Sequence, residues 1–187
     1  MLQGSKYVQS SIKDIYIKVK NELQEGRFVM FTGTPCQVAG LKKFLGEDYE
    51  NLFLVDLICK GVPSTELLYR ELRSLIHNFK CDKVVDLKFR KKTWNHKTIF
   101  ALNFIYGGKR YFIENENSLF YTSFIKGLSY RESCYFCQYN SLERVGDITL
   151  GDCNISDRYY RFYPGEATST ILVNTQKGVE NINCCHK

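Results

Sequence analysis

Two consecutive strand-loop-helix patterns constrain the fold of this chain more than any other feature. The first is an apolar run over 27–32, a Gly-Thr-Pro turn and a helical repeat that starts at Gln37. The second is a buried run over 52–58, a polar loop and an amphipathic helix over 65–78. Such units form parallel sheets, in which the loops that follow the strands meet at one edge. The pattern therefore predicts an α/β fold that begins with a parallel sheet.

The second half of the chain predicts a different arrangement. Strand patterns cover 84–89, 99–106 and 110–113, and Gly107-Gly108 is typical of a hairpin turn between the last two. A polar cysteine-bearing loop, RESCYFCQYNSLERV, leads to a brief strand, DITLGD, and the pattern weakens beyond residue 157. We therefore expect parallel strand-loop-helix units followed by an antiparallel hairpin region and a cysteine-bearing loop, in a single domain over residues 1–187.

Composition and charge argue against several functional classes. The first ten residues lack the apolar run of a signal peptide, and the most apolar stretch, LFLVDLIC, is short and interrupted by Asp56. We therefore expect a cytoplasmic protein without a membrane span. The net charge of +6 is spread along the chain and does not predict nucleic-acid binding. No Ser-His-Asp or paired-carboxylate arrangement predicts hydrolysis, and the histidines show no metal spacing.

Eight cysteines in such a chain favour metal or redox chemistry, because the cytosol keeps thiols reduced and this length folds without disulfides. Cys36 follows the first strand and Cys59 the second, so parallel pairing would bring both thiols to one sheet edge. The helix that starts at Gln37 points its positive dipole end at Cys36, which favours the thiolate. Cys134 and Cys137 form a CxxC, which lets one loop grip one metal centre. The four cysteines make a full set of thiolate ligands.

Other interpretations of these cysteines stay open at this point. Cys36 or Cys59 taken alone could be a small hydrophobic residue of the core. The CxxC taken alone could be a zinc knuckle, or a dithiol redox pair, although such a pair usually starts a helix that follows a strand. Four-thiolate zinc usually comes as two CxxC pairs, whereas iron-sulfur clusters accept scattered cysteines more readily. The remaining cysteines, which show no pairing, are Cys81, Cys153, Cys184 and Cys185.

Four ordered motifs carry a resemblance to a known family. They are GTPCQVAGLKKFL, DLICKGVPS, FRKKTW and SCYFCQYNSLERVGDITLGD. From Lys6 to Val173 the chain resembles the coenzyme F420 hydrogenase/dehydrogenase beta subunit family, a group of iron-sulfur flavoproteins. The resemblance implies an oxidoreductase core that binds FAD and one 4Fe-4S cluster. It also implies electron transfer between a redox partner protein with ferredoxin-type clusters and a small-molecule carrier or substrate.

The same resemblance assigns the cluster ligands. They fall on the four cysteines that spacing groups, which are Cys36, Cys59, Cys134 and Cys137. Family members usually carry a ferredoxin-like segment ahead of this region, and its absence here leads us to expect a fragment or a reduced member. The rival interpretation is a zinc-stabilised binding module, in which the same thiolates are structural and no electron moves.

Candidate flavin contacts also come from the resemblance. The family's FRxK...W segment falls on the basic stretch FRKKTW, which makes Arg90 and Lys92 candidates for the flavin diphosphate, because a guanidinium donates two hydrogen bonds to phosphate at once. On sequence alone, such a charge run is more often solvated surface. Backbone N–H groups at Gly33 and Thr34 are candidates for a phosphate or for cluster sulfides. Asp152, in the motif that commonly reads GDFWG in the family, is a further candidate cofactor contact.

Overall fold

The chain divides into two compact units in a computed structural model, which describes residues 7–79, 85–92, 98–106, 108–152 and 169–184. The first unit comprises Met1–Ser10 and Gly61–Phe136, and the second comprises Ser11–Lys60 and Cys137–Lys187. The described elements in chain order are α1 (Ile15–Gln24), β1 (Val29–Thr32), α2 (Pro35–Leu45), β2 (Leu52–Leu57), α3 (Thr65–Phe79), β3 (Val85–Lys92), β4 (Thr98–Tyr106), β5 (Lys109–Glu114), a 3-10 turn (Asn115–Asn117), α4 (Leu119–Ile125), α5 (Glu132–Tyr135), β6 (Ile148–Asp152), β7 (Ser169–Val173) and α6 (Gln176–Cys184).

The second unit contains a four-stranded sheet in the order β1-β2-β6-β7. The strands β1, β2 and β6 are parallel, and β7 pairs with β6 antiparallel. The predicted parallel start is confirmed, and its third strand comes from the second half of the chain, where Val55 pairs with Ile148. The strand β7 and the helix α6 lie beyond residue 157, where the sequence pattern weakens, so periodicity did not predict them.

Strand β2 is apolar over most of its length because both faces of the sheet are covered. Leu52 and Leu54 pack in a core cluster with α1 and α2, whereas Phe53 and Val55 pack with Ile148 on the other face. A strand that is covered on both faces has no solvent side for polar residues, which explains the unbroken run LFLV. The second face borders a cavity of about 380 Å³, which is lined by Met30, Thr32, Phe53, Val55, Ile148, Leu150, Ile171, Asn181 and Ile182.

Helix α2 has clear signals at both ends. Thr34 is its N-cap residue, and the Thr34 backbone N–H donates to Gln37 Oε1 at 3.0 Å, which is the reciprocal bond of a capping box. Pro35 takes the first helical position, where its missing N–H costs nothing. Gly46 follows the helix with φ of 76°, a left-handed conformation that favours glycine.

The first unit contains a three-stranded antiparallel sheet in the order β3-β4-β5. Tyr106 pairs with Lys109 across a two-residue turn, and Gly108 has φ of 74°, as the hairpin prediction required; Gly107 lies outside the described residues. The core cluster of this unit contains Leu68, Phe89, Leu102, Phe120 and Tyr121. The structure thus confirms the mixed α/β class. No helix in the described ranges has both the length and the apolar character needed to cross a membrane.

Candidate functional site

The parallel strands bring several predicted site residues to one sheet edge. The strands β1 and β2 are neighbours and run in the same direction, so Cys36 and Cys59 both follow the carboxyl ends of adjacent strands. Asp152 is the last residue of β6, which is parallel to β2, and therefore reaches the same edge. Ligands of open α/β sheets bind beyond the carboxyl ends of the strands. The topology therefore confirms the shared edge that was predicted for Cys36 and Cys59.

Cys36 lies in the first turn of α2, and its side chain is half-buried. Its Sγ atom is 3.2 Å from the Thr34 hydroxyl oxygen. Val38 and Leu41 of the same helix are fully buried, so the core-facing side of α2 is occupied by these residues. Cys36 is therefore available at the sheet edge rather than serving as a core residue.

Tyr16 is a neighbour of Cys36 that sequence reasoning did not assign to the site. Its hydroxyl donates to the Gln37 backbone carbonyl at 2.7 Å. Burial, and secondly negative charge on Cys36, raise the pKa of Tyr16 above its ordinary value. A Cβ atom at Gly40 would lie 2.8 Å from the Tyr16 hydroxyl oxygen, so the glycine admits this ring against α2.

Cys59 is exposed and lies two residues beyond the end of β2. The sheet contacts continue to Ile58, whose backbone N–H donates to the Leu150 carbonyl at 2.8 Å. A Cβ atom at Gly151 would lie only 2.5 Å from Ile58 Cδ1, so the glycine gives the Ile58 side chain its place against β6. Packing therefore anchors the chain up to the residue before Cys59, and the thiol itself faces solvent.

The CxxC residues differ in their surroundings. Cys134 lies in α5, is half-buried, and donates its backbone N–H to the Arg131 carbonyl at 2.8 Å. Cys137 is exposed and belongs to the second unit, where its carbonyl accepts from the Asn140 N–H at 3.4 Å. The cysteine-bearing loop thus contains a single helical turn, which periodicity could not show because four residues are too few for a repeat.

Arg144 is a polar residue of the cysteine-bearing loop that sequence reasoning missed. Its guanidinium pairs with the carboxylate of Asp56, at 3.1 Å between Nη2 and Oδ1. The Arg144 side chain is 10% exposed and that of Asp56 is 0% exposed. Asp56 interrupts the apolar run of β2, and a buried carboxylate needs a partner. That interruption was the signal in the sequence, but it did not identify Arg144 as the partner.

The N–H groups proposed for a phosphate have partners within the second unit. The Gly33 N–H donates to the Val55 carbonyl at 3.1 Å, and the Thr34 N–H donates to Gln37 Oε1 at 3.0 Å. A phosphate or sulfide at this turn would have to replace one of these bonds. Asp152 is exposed at the end of β6 and pairs in register with Ser169 of β7.

Arg90 lies in β3 of the first unit, where it contacts Tyr7. Its Nε–H donates to the Tyr7 hydroxyl at 2.8 Å, and its guanidinium carbon lies 5.7 Å from the centre of the Tyr7 ring. Arg90 as a whole residue is half-buried. Lys92 ends β3, but its side chain lies outside the described residues, as do Thr93 and Trp94.

Comparison with known proteins identifies the family. Residues 26–187 match a family model that describes the C terminus of the beta subunit in coenzyme F420 hydrogenase/dehydrogenase. The chain belongs to this family. Hydrogenases and dehydrogenases are oxidoreductases, so this family is one of redox proteins. Comparison with curated proteins gave no match.

An iron-sulfur cluster in a member of the F420 hydrogenase/dehydrogenase beta subunit family needs soft donors on accessible loops. Cys36, Cys59, Cys134 and Cys137 meet this requirement, since all four are half-buried or exposed thiols. Within the described ranges, no three His, Cys, Asp or Glu side chains form a group that is already placed to hold a metal ion. The donor chemistry of the four thiols fits a cluster.

Proposed function

We propose that this protein is the redox core of an oxidoreductase that passes electrons between a 4Fe-4S cluster, bound FAD and a soluble carrier or substrate. One observation carries the proposal. In a chain of the F420 hydrogenase/dehydrogenase beta subunit family, Cys36 and Cys59 follow adjacent parallel strands at one sheet edge. Neither cysteine is in the core or in a disulfide.

The proposed cluster ligands are Cys36, Cys59, Cys134 and Cys137. When bound, the cluster supplies one-electron transfer and the flavin supplies two-electron exchange. The Thr34 hydroxyl at 3.2 Å from Cys36 Sγ would orient that sulfur, because hydrogen bonds around metal ligands set their direction. Because thiolate ligands bind a metal centre in the folded chain, metal binding would contribute to the folding free energy of these loops.

For FAD, Arg90 and Lys92 are the proposed contacts of the diphosphate. Arg90 is half-buried, and its Nε–H donates to the Tyr7 hydroxyl, a contact that would orient the guanidinium toward a phosphate. Gly33, Thr34 and Asp152 are proposed as further cofactor contacts, with the condition that Gly33 and Thr34 exchange an existing hydrogen bond for the new one.

The proposed partners follow from the family description. A beta subunit implies other subunits, and we propose a redox partner protein with ferredoxin-type clusters and a small-molecule electron carrier or substrate. We propose a cytoplasmic location, where reduced thiols are maintained.

Purification of the full chain without oxygen tests this function. The purified protein should be brown, should contain iron and acid-labile sulfide in equal amounts, and should release FAD when it is denatured. Stoichiometric zinc without sulfide would contradict the proposal and would instead support a zinc-stabilised binding module. Iron and sulfide without flavin would reduce the proposal to a cluster protein that only relays electrons.

A further inference from the structure

All three guanidinium nitrogens of Arg144 donate hydrogen bonds within the second unit. Nη2 donates to Asp56 Oδ1 at 3.1 Å and to the Leu57 carbonyl at 2.8 Å. The remaining three bonds, each 3.2 or 3.3 Å long, go from Nε to Thr149 Oγ1 and from Nη1 to the carbonyls of Tyr139 and Ser141. A guanidinium with five donors in a rigid plane satisfies such a set, whereas a lysine ammonium has only three donors and no fixed plane.

These bonds join two separate segments that carry cysteines. The Leu57 carbonyl lies two residues before Cys59 in the chain. The Tyr139 carbonyl lies two residues after Cys137, within residues 137–147, which we call the 137–147 loop. One guanidinium therefore ties the loop that begins with Cys137 to the end of the strand that leads to Cys59.

The carboxylate of Asp56 secures the other end of the same loop. Its Oδ2 atom accepts from the N–H groups of Val145 and Gly146 at 3.3 and 3.2 Å. A Cβ atom at Gly146 would lie 2.9 Å from the Asp56 backbone N, so a larger residue would separate the loop from β2. The two side chains of this buried ion pair therefore bond to the backbone of the 137–147 loop, which has little secondary structure of its own.

We propose that Arg144 is a positioning residue, which sets the separation between the 137–147 loop and the end of β2 that leads to Cys59. Its importance for electron transfer rests on the proposed function, because that function makes both cysteines cluster ligands. A buried ion pair alone is weak support for a role in stability, since apolar residues often replace such pairs without loss. The bonds from the guanidinium to three backbone carbonyls on two cysteine-bearing segments give the pair a task that apolar residues could not perform.

The test compares Arg144→Lys with Thr175→Val. The lysine keeps a positive charge for Asp56 but cannot hold the three carbonyls together. The valine removes the 2.7 Å bond from Thr175 Oγ1 to Asp147 Oδ1, a contact of the same unit that does not involve the guanidinium. Thermal melting of both variants measures the overall loss of stability, so the local effect can be separated from it.

Hydrogen exchange of metal-free full-length protein reports the position of the loop directly. In Arg144→Lys, we expect amides of the 137–147 loop to exchange about tenfold faster than in the wild type, because this variant lacks hydrogen bonds that oppose local opening of the loop. The bond lost in Thr175→Val reaches Asp147 at the end of the loop, so the comparison uses the amides of residues 138–144, whose exchange we expect to stay unchanged in this variant. Unchanged exchange in Arg144→Lys, or an equal increase in Thr175→Val, would overturn the proposal.

Iron retention links the position of the loop to the cluster. In protein loaded without oxygen, we expect iron to be lost to a chelator about tenfold more readily from Arg144→Lys than from the wild type or Thr175→Val. Equal retention in all three proteins would overturn the positioning role. If the wild type holds zinc without sulfide, the proposed function fails, whereas the exchange comparison on metal-free protein still decides what Arg144 does.

Discussion

The Thr34 hydroxyl oxygen lies 3.2 Å from the Cys36 sulfur, at the start of α2. The hydroxyl also donates to Gln37 Oε1 at 3.1 Å, and the Thr34 N–H donates to the same oxygen. The turn that presents Cys36 is therefore shaped by its own hydrogen bonds. A half-buried thiol on such a turn is better placed to act as a metal ligand than to pack in the core.

Cys36→Ala should lose iron and should also lower the free energy of unfolding of the loaded protein, because metal binding is part of folding. Cys59→Ala, Cys134→Ala and Cys137→Ala should behave alike. Iron assays and thermal melts of anaerobic protein measure both effects. The control is Cys184→Ala at the end of α6, which should keep its iron and change stability by less than about 0.5 kcal/mol. A Cys36→Ala protein with a full cluster would show that Cys36 is not a ligand.

Asp56→Asn should lower the free energy of unfolding by about 3 to 5 kcal/mol, because it leaves the Arg144 guanidinium without its carboxylate in a buried place. Urea titration of metal-free protein measures this loss. Glu66→Gln is a suitable control, since it breaks the exposed pair with Arg70 and should cost less than about 1 kcal/mol. Similar losses of unfolding free energy in the two variants would contradict a larger contribution from the buried pair than from the exposed one.

The double variant Arg90→Ala and Lys92→Ala should retain less FAD than the wild type, while its iron content stays largely intact, because a flavin diphosphate would lose both cations. Flavin fluorescence after denaturation and an iron assay measure the two quantities. The control is the double variant Lys109→Ala and Arg110→Ala, which removes two exposed cations of β5 in the same unit and should leave flavin retention unchanged. Unchanged flavin retention in the double variant of Arg90 and Lys92 would mean that the FRKKTW stretch is solvated surface and does not bind flavin.

In Tyr121→Phe, the free energy of unfolding should fall less steeply than in the wild type as the pH rises in alkaline solution. Burial raises the pKa of the Tyr121 phenol above its ordinary value of 10.0; Tyr7 adds to this effect and Arg90 opposes it. The folded chain thus holds this proton more tightly than the unfolded chain does, and the resulting stability is complete below about pH 10 and declines above it.

Urea titrations between neutral and alkaline pH measure this difference. Wild-type stability should fall more steeply above about pH 10 than that of Tyr121→Phe. The phenylalanine variant should start lower, since it loses the bond from the Tyr121 hydroxyl to the Phe89 carbonyl. Tyr69→Phe, at an exposed position, should follow the wild-type curve. Parallel curves for wild type and Tyr121→Phe would contradict the assignment.

Local pattern alone determined the first strands, the helices between them and the hairpin. The run LFLV of β2 was recognisable because both sheet faces are apolar there, and Gly108 was recognisable because a two-residue turn needs its positive φ. The placement of Cys36 and Cys59 at one edge followed from the parallel direction of β1 and β2. These features depend on residues near one another in the chain, so periodicity and turn residues are sufficient to predict them.

Tertiary structure decided which distant segments meet. The pairing of β2 with β6, the antiparallel β7 and the partner of Asp56 leave no periodic trace, because the cost of closing a long loop and the choice of partner depend on the whole fold. In the sequence, Asp56 is only an interruption of the apolar run of β2. Only the folded chain, which brings a guanidinium 88 positions away to within 3.1 Å, could show that the counterion is Arg144.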